Sequence, residues 1–149
     1  MTKIAELITT HSDRVSPDAT LREGASLMVA STLSSVIVVD KGVVLGIITE
    51  HDLLRVMRRH QSPERSARST MTHPVHTVPD DMEFHRAYRD AANLGIRHIV
   101  VVDADGHPLG VVSESDFRKH LGTDFYLHLN CVDTLMERTF PRLPAGTLL

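Results

Sequence analysis

Two short motifs place a hydroxyl three residues before a carboxylate, Thr49 before Asp52 and Ser113 before Asp116. Each motif follows an apolar run and precedes a helical pattern, so we expect it at a strand-to-helix junction. The first amides of a helix lack partners and favour negative charge, which suits a phosphate. A carboxylate can accept hydrogen bonds from the vicinal hydroxyls of a ribose, and the neighbouring hydroxyl can donate to a phosphate oxygen. The motifs therefore offer the chemistry needed to hold a phosphorylated ribose.

The same four residues also have a purely structural interpretation. Threonine and serine are preferred N-caps, and an aspartate three residues later completes a capping box and complements the helix dipole. Local chemistry leaves both interpretations open. Two copies of the motif at matching places in a repeat favour the ligand.

The repeat that contains the motifs organises the chain. Residues 33–57 match residues 96–121, and the offset between paired residues drifts from 62 to 64 through two single-residue length differences. The pairs are Pro17 with Pro79, Asp40 with Asp103, Gly46 with Gly110, Thr49 with Ser113, and Asp52 with Asp116.

Each repeat predicts a short extended segment, a helix, two strands joined by a tight turn, and a second helix. A helix is expected over 21–32 and another at the corresponding place in the second repeat, where Gly95 suits the left-handed residue after its end. Two pairs have capping-box spacing: Thr20 with Glu23, and Asp80 with Glu83. The buried helical faces are expected at Leu21, Ala25, Met28 and Thr32 in the first repeat and at Phe84, Ala87, Tyr88 and Ala91 in the second.

The runs 36–39 and 99–102 are continuously apolar and mostly β-branched, as expected of strands covered on both faces. Turns then lead into a second strand in each repeat, so both pairs of strands are predicted to be hairpins. The turns lie at Gly42 and at Asp105-Gly106, and the second strands at 43–48 and 109–112.

The composition limits the class of function. With 149 residues, 16 basic and 19 acidic side chains, the net charge of -3 is too balanced for a nucleic-acid or anionic-membrane surface. The single cysteine, Cys131, fits a reducing compartment, and no apolar run approaches the length of a membrane helix. We therefore expect a cytoplasmic protein with no membrane segment within this chain.

Other chemistry has little support in the sequence. Among ten histidines, His73 with His76, or His51 beside Asp52, could hold a metal, but scattered histidines on polar segments are more often solvated. No serine or cysteine lies in a recognisable nucleophile motif. We expect neither catalytic residues nor a bound metal, and no catalytic cofactor.

The repeated pattern of Pro-Asp, helix, apolar strand ending in aspartate, and Gly-x-x-Thr/Ser-x-x-Asp resembles the CBS domain family over about residues 5–121. The resemblance implies a tandem pair, or Bateman module, of fold class α/β (α+β), with two β-α-β-β-α units packed in pseudo-two-fold symmetry around two clefts. The expected parts are CBS domain 1 at 5–60, a polar linker at 61–69, CBS domain 2 at 70–122, and a C-terminal helix or tail at 123–149.

The resemblance also implies which residues form each cleft, because the motif of one unit meets the lead-in and first core strand of the other. The first cleft would combine Thr49, Asp52, Thr72, Val75, Ile96, Arg97 and His98. The second would combine Ser113, Asp116, Thr10, Asp13, Leu33, Ser34 and Ser35. Backbone groups near Val75 and the side chain of Ile96 would hold a base, and Arg97 could reach its phosphate.

The two clefts are expected to differ in affinity. The first contains the cationic pair Arg97-His98, whereas the second has the neutral pair Ser34-Ser35, with Asp13 adding negative charge near any phosphate. We predict tighter nucleotide binding in the first cleft.

By resemblance, the chain is expected to be a non-catalytic sensor of AMP, ADP or ATP that controls an attached or partner output domain and forms a homodimer. The exposed helices near 50–59 and 114–121 are its candidate contact surfaces. S-adenosylmethionine, NAD and cyclic di-AMP are further candidate ligands. The alternatives are a ligand-free dimerisation module and a regulatory fragment of a larger enzyme, such as a cyclic-dinucleotide signalling protein.

A last pattern concerns the C-terminus. Residues 132–144 resemble the lead-in 68–79, and Met71 and Met136 both stand eight residues before a proline. We expect the chain to stop within a third, truncated unit of a longer protein. The alternative is a terminal helix and tail that packs against the pair.

Overall fold

The computed structural model describes residues 2–8 and 12–128, with side chains through 121. The predictions for Thr10, Cys131 and the start of a third unit at 132–144 lie outside the described residues. No described helix is long and apolar enough to cross a membrane.

The described chain contains two copies of the predicted order of elements, which confirms the α+β fold class. A short 3-10 turn, Ile4–Leu7, precedes them. Unit one comprises β1 (Arg14–Val15), α1 (Leu21–Ala30), β2 (Ser35–Asp40), β3 (Val43–Thr49) and α2 (Glu50–Arg58). A helical turn, α3 (Ala67–Thr70), leads into unit two, which comprises β4 (Thr77–Pro79), α4 (Phe84–Leu94), β5 (His98–Val102), β6 (Pro108–Ser113) and α5 (Glu114–His128).

Each unit has a three-stranded sheet with the same connectivity. In unit one β1 pairs parallel with β2, and β2 pairs antiparallel with β3; β4, β5 and β6 repeat this order in unit two. The register shifts once in each hairpin, between Val38 and Val39 and between Val101 and Val102. Because even the irregularities correspond, the two units are structural repeats.

The tight turns form as predicted. Lys41 and Gly42 both adopt positive φ, 49° and 85°, which is the backbone of a two-residue hairpin turn with the twist of its strands. Gly106 has φ 84° in the longer turn of unit two. Both predicted hairpins are therefore confirmed.

The helix starts agree with the prediction in unit one and differ in unit two. The Thr20 hydroxyl accepts from the Glu23 amide at 3.1 Å, while a Glu23 carboxylate oxygen accepts from the Thr20 amide at 2.7 Å, so this capping box is confirmed. The prediction that Asp80 caps α4 is wrong, because Glu83 is the N-cap residue and its side chain makes no capping hydrogen bond. The Asp80 amide instead extends the sheet by donating to the Val102 carbonyl. Gly95 ends α4 in the left-handed conformation, as predicted.

The two sheets pack face to face through their core strands. Ile37, Ile47 and Val100 are at most 3 % exposed and form one apolar cluster between the units. Strands β2 and β5 have their apolar runs buried by this contact on one face and by helices on the other. This double burial explains why those runs are continuously apolar rather than alternating.

The lead-in segments cross between the units. Ala67 is fully buried in the core of unit one, although its sequence lies within the segment 61–69 that was predicted as a linker. Conversely, Ile4 and Leu7 are buried in the core of unit two, with the Ile4 amide donating to the Met82 carbonyl. Residues 61–69 thus include a buried alanine and most of a four-residue helix, features too short to leave an apolar period in the sequence.

Candidate functional site

A cleft of about 560 Å³ opens between the two units where α2 and α5 begin. Its lining includes all seven residues predicted for the first cleft: Thr49, Asp52, Thr72, Val75, Ile96, Arg97 and His98. They come from the end of β3, the start of α2, the lead-in to β4, and the segment between α4 and β5. The packing of the two sheets brings these four segments together.

The motif Thr49-x-x-Asp52 caps α2. The Thr49 hydroxyl accepts from the Asp52 amide at 3.4 Å, and carboxylate Oδ2 of Asp52 accepts from the Thr49 amide and hydroxyl, both at 2.9 Å. The capping box that the structural interpretation of this motif predicts is therefore present at the start of α2. The hydroxyl directs its hydrogen to Asp52 rather than into the cleft.

The second oxygen of the same carboxylate holds the cleft wall together. Oδ1 of Asp52 accepts from Arg55 at 2.7 Å and from the Thr72 hydroxyl at 3.2 Å. Arg55 also donates to the Thr70 carbonyl at 3.2 Å, so it links α2 to the lead-in of unit two. The Asp52 side chain is only 2 % exposed, and it is buried with partners on both oxygens.

The apolar part of the cleft includes the side chains of Val75, Ile96 and Ile47, together with Leu54 and Pro74. Val75 packs against the apolar cluster between the sheets, and Ile96 packs against the core of unit two. Ile47 of β3 also lines the cleft and is itself buried. These side chains provide a surface on which a flat ring system can lie.

The cationic part of the cleft is the pair Arg97 and His98. Arg97 is exposed, and within the described part of the chain its guanidinium has no hydrogen bond or ion pair. His98 is half-buried, and its Nε2 lies 3.1 Å from the Ser34 hydroxyl. Burial, followed by the charge of Arg97, lowers the pKa of His98 below its usual value, although three carboxylates oppose the shift.

The second motif has the same cap in a more open setting. Carboxylate Oδ2 of Asp116 accepts from the Ser113 amide at 2.9 Å and from its hydroxyl at 2.6 Å. Among the side chains that the structure describes, the partner of the other oxygen is Lys119, at 3.8 Å, and the Asp116 side chain is 17 % exposed. Asp116 thus lacks the two partners that fix Oδ1 of Asp52.

The other residues predicted for the second cleft are only partly brought together. Ser34 and Ser113 line the first cleft, whereas Asp13, Leu33, Ser35 and Asp116 are not among its lining residues. Asp13 accepts a hydrogen bond from the Ser31 hydroxyl, and the nearby Ser12 hydroxyl accepts from the Val111 amide at 2.7 Å. The first contact lies within unit one, whereas the second joins the lead-in of unit one to β6 of unit two.

Several cleft residues were not predicted from the sequence. Arg55 stands three residues after Asp52, a spacing that places the two side chains on one helix face and could have revealed the pair. Arg118, Glu50, Glu114 and His76 carry no such signal, because only the approach of the two units brings them to the cleft.

The histidine pairs considered as metal ligands do not come together with further ligands among the described residues. The grouping of three that does is Asp103, Asp105 and His107 in the turn of unit two, with candidate ligand atoms within 4.8 Å of one another. Asp103 already accepts the amides of the other two residues, at 3.0 and 2.8 Å, so the grouping is accounted for by the turn itself.

The sequence model of the CBS domain family matches this chain twice, at residues 4–59 and 67–123. An uncharacterized protein of Methanopyrus kandleri is 38 % identical over 104 residues, a match that covers 68 % of this chain and 53 % of that protein. The chain thus spans about half the length of this curated relative.

Solved structures share the fold. A CBS domain protein of Pyrobaculum aerophilum complexed with AMP has a TM-score of 0.75 at 23 % identity, covering 87 % of this chain and 98 % of that one. The CBS domain pair of protein MJ0100, in complex with 5′-methylthioadenosine and S-adenosyl-L-methionine, has the same TM-score at 19 % identity, covering 83 % and 98 % of the two chains.

Proposed function

The chain belongs to the CBS domain family, whose paired domains are generally regulatory and non-catalytic modules, and we propose that this pair senses an adenine nucleotide. The observation that carries the proposal is the cleft between the units, where an apolar surface, a buried carboxylate and an exposed arginine converge. Such a combination of apolar walls with a few polar groups is typical of small-molecule sites.

In the proposed binding mode the base lies between Val75 and Ile96. The ribose reaches Asp52, where one of its hydroxyls replaces the Thr72 hydroxyl on Oδ1. The phosphate lies beside Arg97 and the first turn of α2, where helix amides favour negative charge. In this mode the apolar surface contacts the base, the Asp52 carboxylate contacts the ribose, and Arg97 contacts the phosphate.

Two arginines that line the cleft favour AMP, ADP or ATP over the sulfonium ligand S-adenosylmethionine, although the carboxylates of Glu50, Asp52 and Glu114 balance the charge of the lining as a whole. Arg97 and Arg118 line the cleft, and the only described ion pair of Arg118 is a 3.9 Å approach to Glu114. Guanidinium groups that have weak partners within the protein bind phosphate well, and they repel a positively charged group such as the sulfonium of S-adenosylmethionine. NAD and cyclic di-AMP remain lower-ranked phosphate-bearing candidates.

A weaker second site is proposed around Ser113 and Asp116. It would use the remaining residues assigned to that cleft, namely Thr10, Asp13, Leu33, Ser34 and Ser35. The carboxylate of Asp13 and the absence of an arginine among these residues predict the lower affinity.

The sensor would act by population shift. A ligand that bridges the two units favours one packing of the sheets, and an output domain or partner responds to that packing.

We propose that the surface of α2 joins two copies into a homodimer, because Leu54 and Met57 are 62 % and 69 % exposed there. We propose that the protein is cytoplasmic, because adenine nucleotides are ligands of that compartment. We also keep the division into domains at 5–60 and 70–122, and the truncated third unit, as proposals.

Calorimetric titration of the chain with AMP, ADP, ATP and S-adenosylmethionine tests the proposal. We expect micromolar binding of at least one nucleotide, and Arg97→Gln should weaken AMP binding about tenfold because it removes a charged hydrogen bond to phosphate. Arg89→Gln is the matched control, since Arg89 is an exposed arginine of α4 outside the cleft lining.

The alternative function is a dimerisation module without a ligand, in which both aspartates serve only as caps. It predicts no binding of any of the four compounds, together with a dimer in sedimentation that nucleotides leave unchanged. Loss of AMP binding in Arg89→Gln and not in Arg97→Gln would contradict the proposed location of the phosphate.

A further inference from the structure

We propose that His98 takes up a proton when a phosphate-bearing ligand enters the cleft, so that the cleft selects phosphorylated nucleotides over uncharged adenosine derivatives. The inference rests on the proposed function and adds to it a second group, beside Arg97, that distinguishes a nucleotide from a nucleoside.

The position of His98 allows both protonation states. It is the first residue of β5 and lines the cleft, and its Nε2 lies 3.1 Å from the Ser34 hydroxyl. A serine hydroxyl can donate to a neutral ring nitrogen and can accept from a protonated one. The contact therefore persists when the proton arrives, and the ring need not move.

Charged groups from several elements face the ring. Arg97 precedes it on the chain, Glu50 and Asp52 belong to α2, and Asp116 belongs to α5. Burial is the largest influence on the pKa of His98 and lowers it; Arg97 lowers it further, and the three carboxylates raise it. Burial and Arg97 together therefore disfavour the imidazolium form of His98 in the empty cleft. The other titratable or charged lining residues are His51, Arg55, His76, Glu114 and Arg118.

A phosphate reverses this balance. It carries a charge of roughly -1.5 to -2 at pH 7, and a nearby opposite charge favours the imidazolium form. By linkage, a ligand that raises the pKa of His98 binds more tightly to the protonated protein. Affinity is therefore highest below the pKa of the empty cleft and falls as pH rises through the pKa of the complex. A neutral ligand such as 5′-methylthioadenosine causes no such dependence.

The test compares AMP with 5′-methylthioadenosine by calorimetry at pH 7.0 and 8.0, in two buffers of different protonation enthalpy. We expect uptake of a fraction of a proton for each AMP bound at pH 7.0 and none for 5′-methylthioadenosine. AMP should bind about threefold to tenfold more tightly at pH 7.0 than at 8.0, since one linked proton can change affinity at most tenfold for each pH unit.

Two variants identify the residue. His98→Gln keeps a hydrogen-bonding group near Ser34 and should still bind AMP, without proton uptake. His85→Gln removes an exposed histidine of α4 outside the cleft and should retain the proton uptake. The pH dependence of AMP affinity in His98→Gln also measures the contribution of AMP itself, whose phosphate has a second pKa near 6.

A direct measurement keeps the inference falsifiable if His98→Gln does not fold. NMR titration of the His98 ring in the natural sequence should give a higher pKa with saturating AMP than without it. AMP binding with no proton uptake, or with uptake that survives in His98→Gln, would overturn the inference and leave the proposed function standing. Failure of both ligands to bind would instead overturn the proposed function, and the inference with it.

Discussion

The two motifs of the repeat cap their helices in the same way and yet present different carboxylates. Asp52 is buried, and its second oxygen is held by Arg55 and Thr72. Asp116 has a 17 % exposed side chain, and the partner of its second oxygen among the described side chains is Lys119, at 3.8 Å. The cap is a property of the motif, whereas the surroundings of the carboxylate depend on the neighbouring unit.

This difference separates the structural role of the motif from its role in binding. A carboxylate needs only its own Thr or Ser to cap a helix, but it needs an ordered partner across the cleft to be held in one orientation. Asp52 has that partner in Thr72 of the other unit, and Asp116 has none among the described side chains. The first cleft is therefore the better prepared of the two.

The largest expected difference is between Asp52→Ala and Asp116→Ala in AMP binding. Asp52→Ala should weaken binding by on the order of tenfold to a hundredfold, because it removes a charged acceptor of ribose hydrogen bonds worth about 1.5–3 kcal/mol. Asp116→Ala should change the affinity less than about threefold. Calorimetric titration of both variants measures the comparison.

Loss of the cap is common to both variants and so serves as the internal control. Each should lose about 1 kcal/mol of unfolding free energy through its helix start, where the carboxylate no longer accepts the hydrogen bond of the Thr49 or Ser113 amide. Asp52→Ala should lose more, because it also leaves Arg55 and the Thr72 hydroxyl without their acceptor. If Asp116→Ala abolished binding while Asp52→Ala left it intact, the ranking of the clefts would be reversed.

The predictable part of this molecule is the part determined by local pattern. The repeat, the apolar runs of β2 and β5, and the Thr20 cap all follow from residues near one another in the chain. The seven residues assigned to the first cleft by resemblance also line one cavity. The crossing of Ile4 and Ala67 into the opposite units, and the contact of Asp52 with Thr72, depend on tertiary packing, which leaves no period or spacing in the sequence.

The glycines at the paired positions of β3 and β6 offer a second way to separate the clefts. A Cβ at Gly46 would lie 2.6 Å from Met71 Sδ and 2.9 Å from the Thr72 carbonyl oxygen. At Gly110 the nearest atom would be Ile8 Cγ2, at 2.6 Å, in a side chain that can move. Gly46→Ala should therefore lower the unfolding free energy by about 1–3 kcal/mol. Gly110→Ala should cost less.

Chemical denaturation of the two glycine variants measures this difference. Gly46→Ala should also weaken AMP binding, because displacing the Thr72 backbone moves the lead-in that lines the cleft. Equal destabilisation by both substitutions would contradict the prediction, because it would mean that Ile8 accommodates the added methyl group no better than Met71 and Thr72 do.

A smaller effect is expected from the cations that accompany the two carboxylates. Arg55→Gln removes charged hydrogen bonds to Asp52 and to the Thr70 carbonyl, and we expect it to cost about 1–2 kcal/mol, because Arg55 is one-third exposed. Lys119→Gln should stay within about 0.5 kcal/mol, since Lys119 is 73 % exposed and 3.8 Å from its carboxylate. Thermal unfolding of both variants in low and high salt checks the prediction, and a salt-sensitive loss confined to Lys119→Gln would contradict it.

The smallest effect is expected at the hairpin turns, where the turn of unit two is longer than the turn of unit one. In unit two the His107 amide, and then the Asp105 amide, hold the pKa of Asp103 below its usual value. A carboxyl whose pKa is lower in the folded state contributes stability above its unfolded pKa and loses it as the pH falls below about 4. Asp103→Asn should therefore lose a small increment of Tm at pH 7 and little at pH 3. An equal loss of Tm at pH 7 and at pH 3 would contradict the prediction.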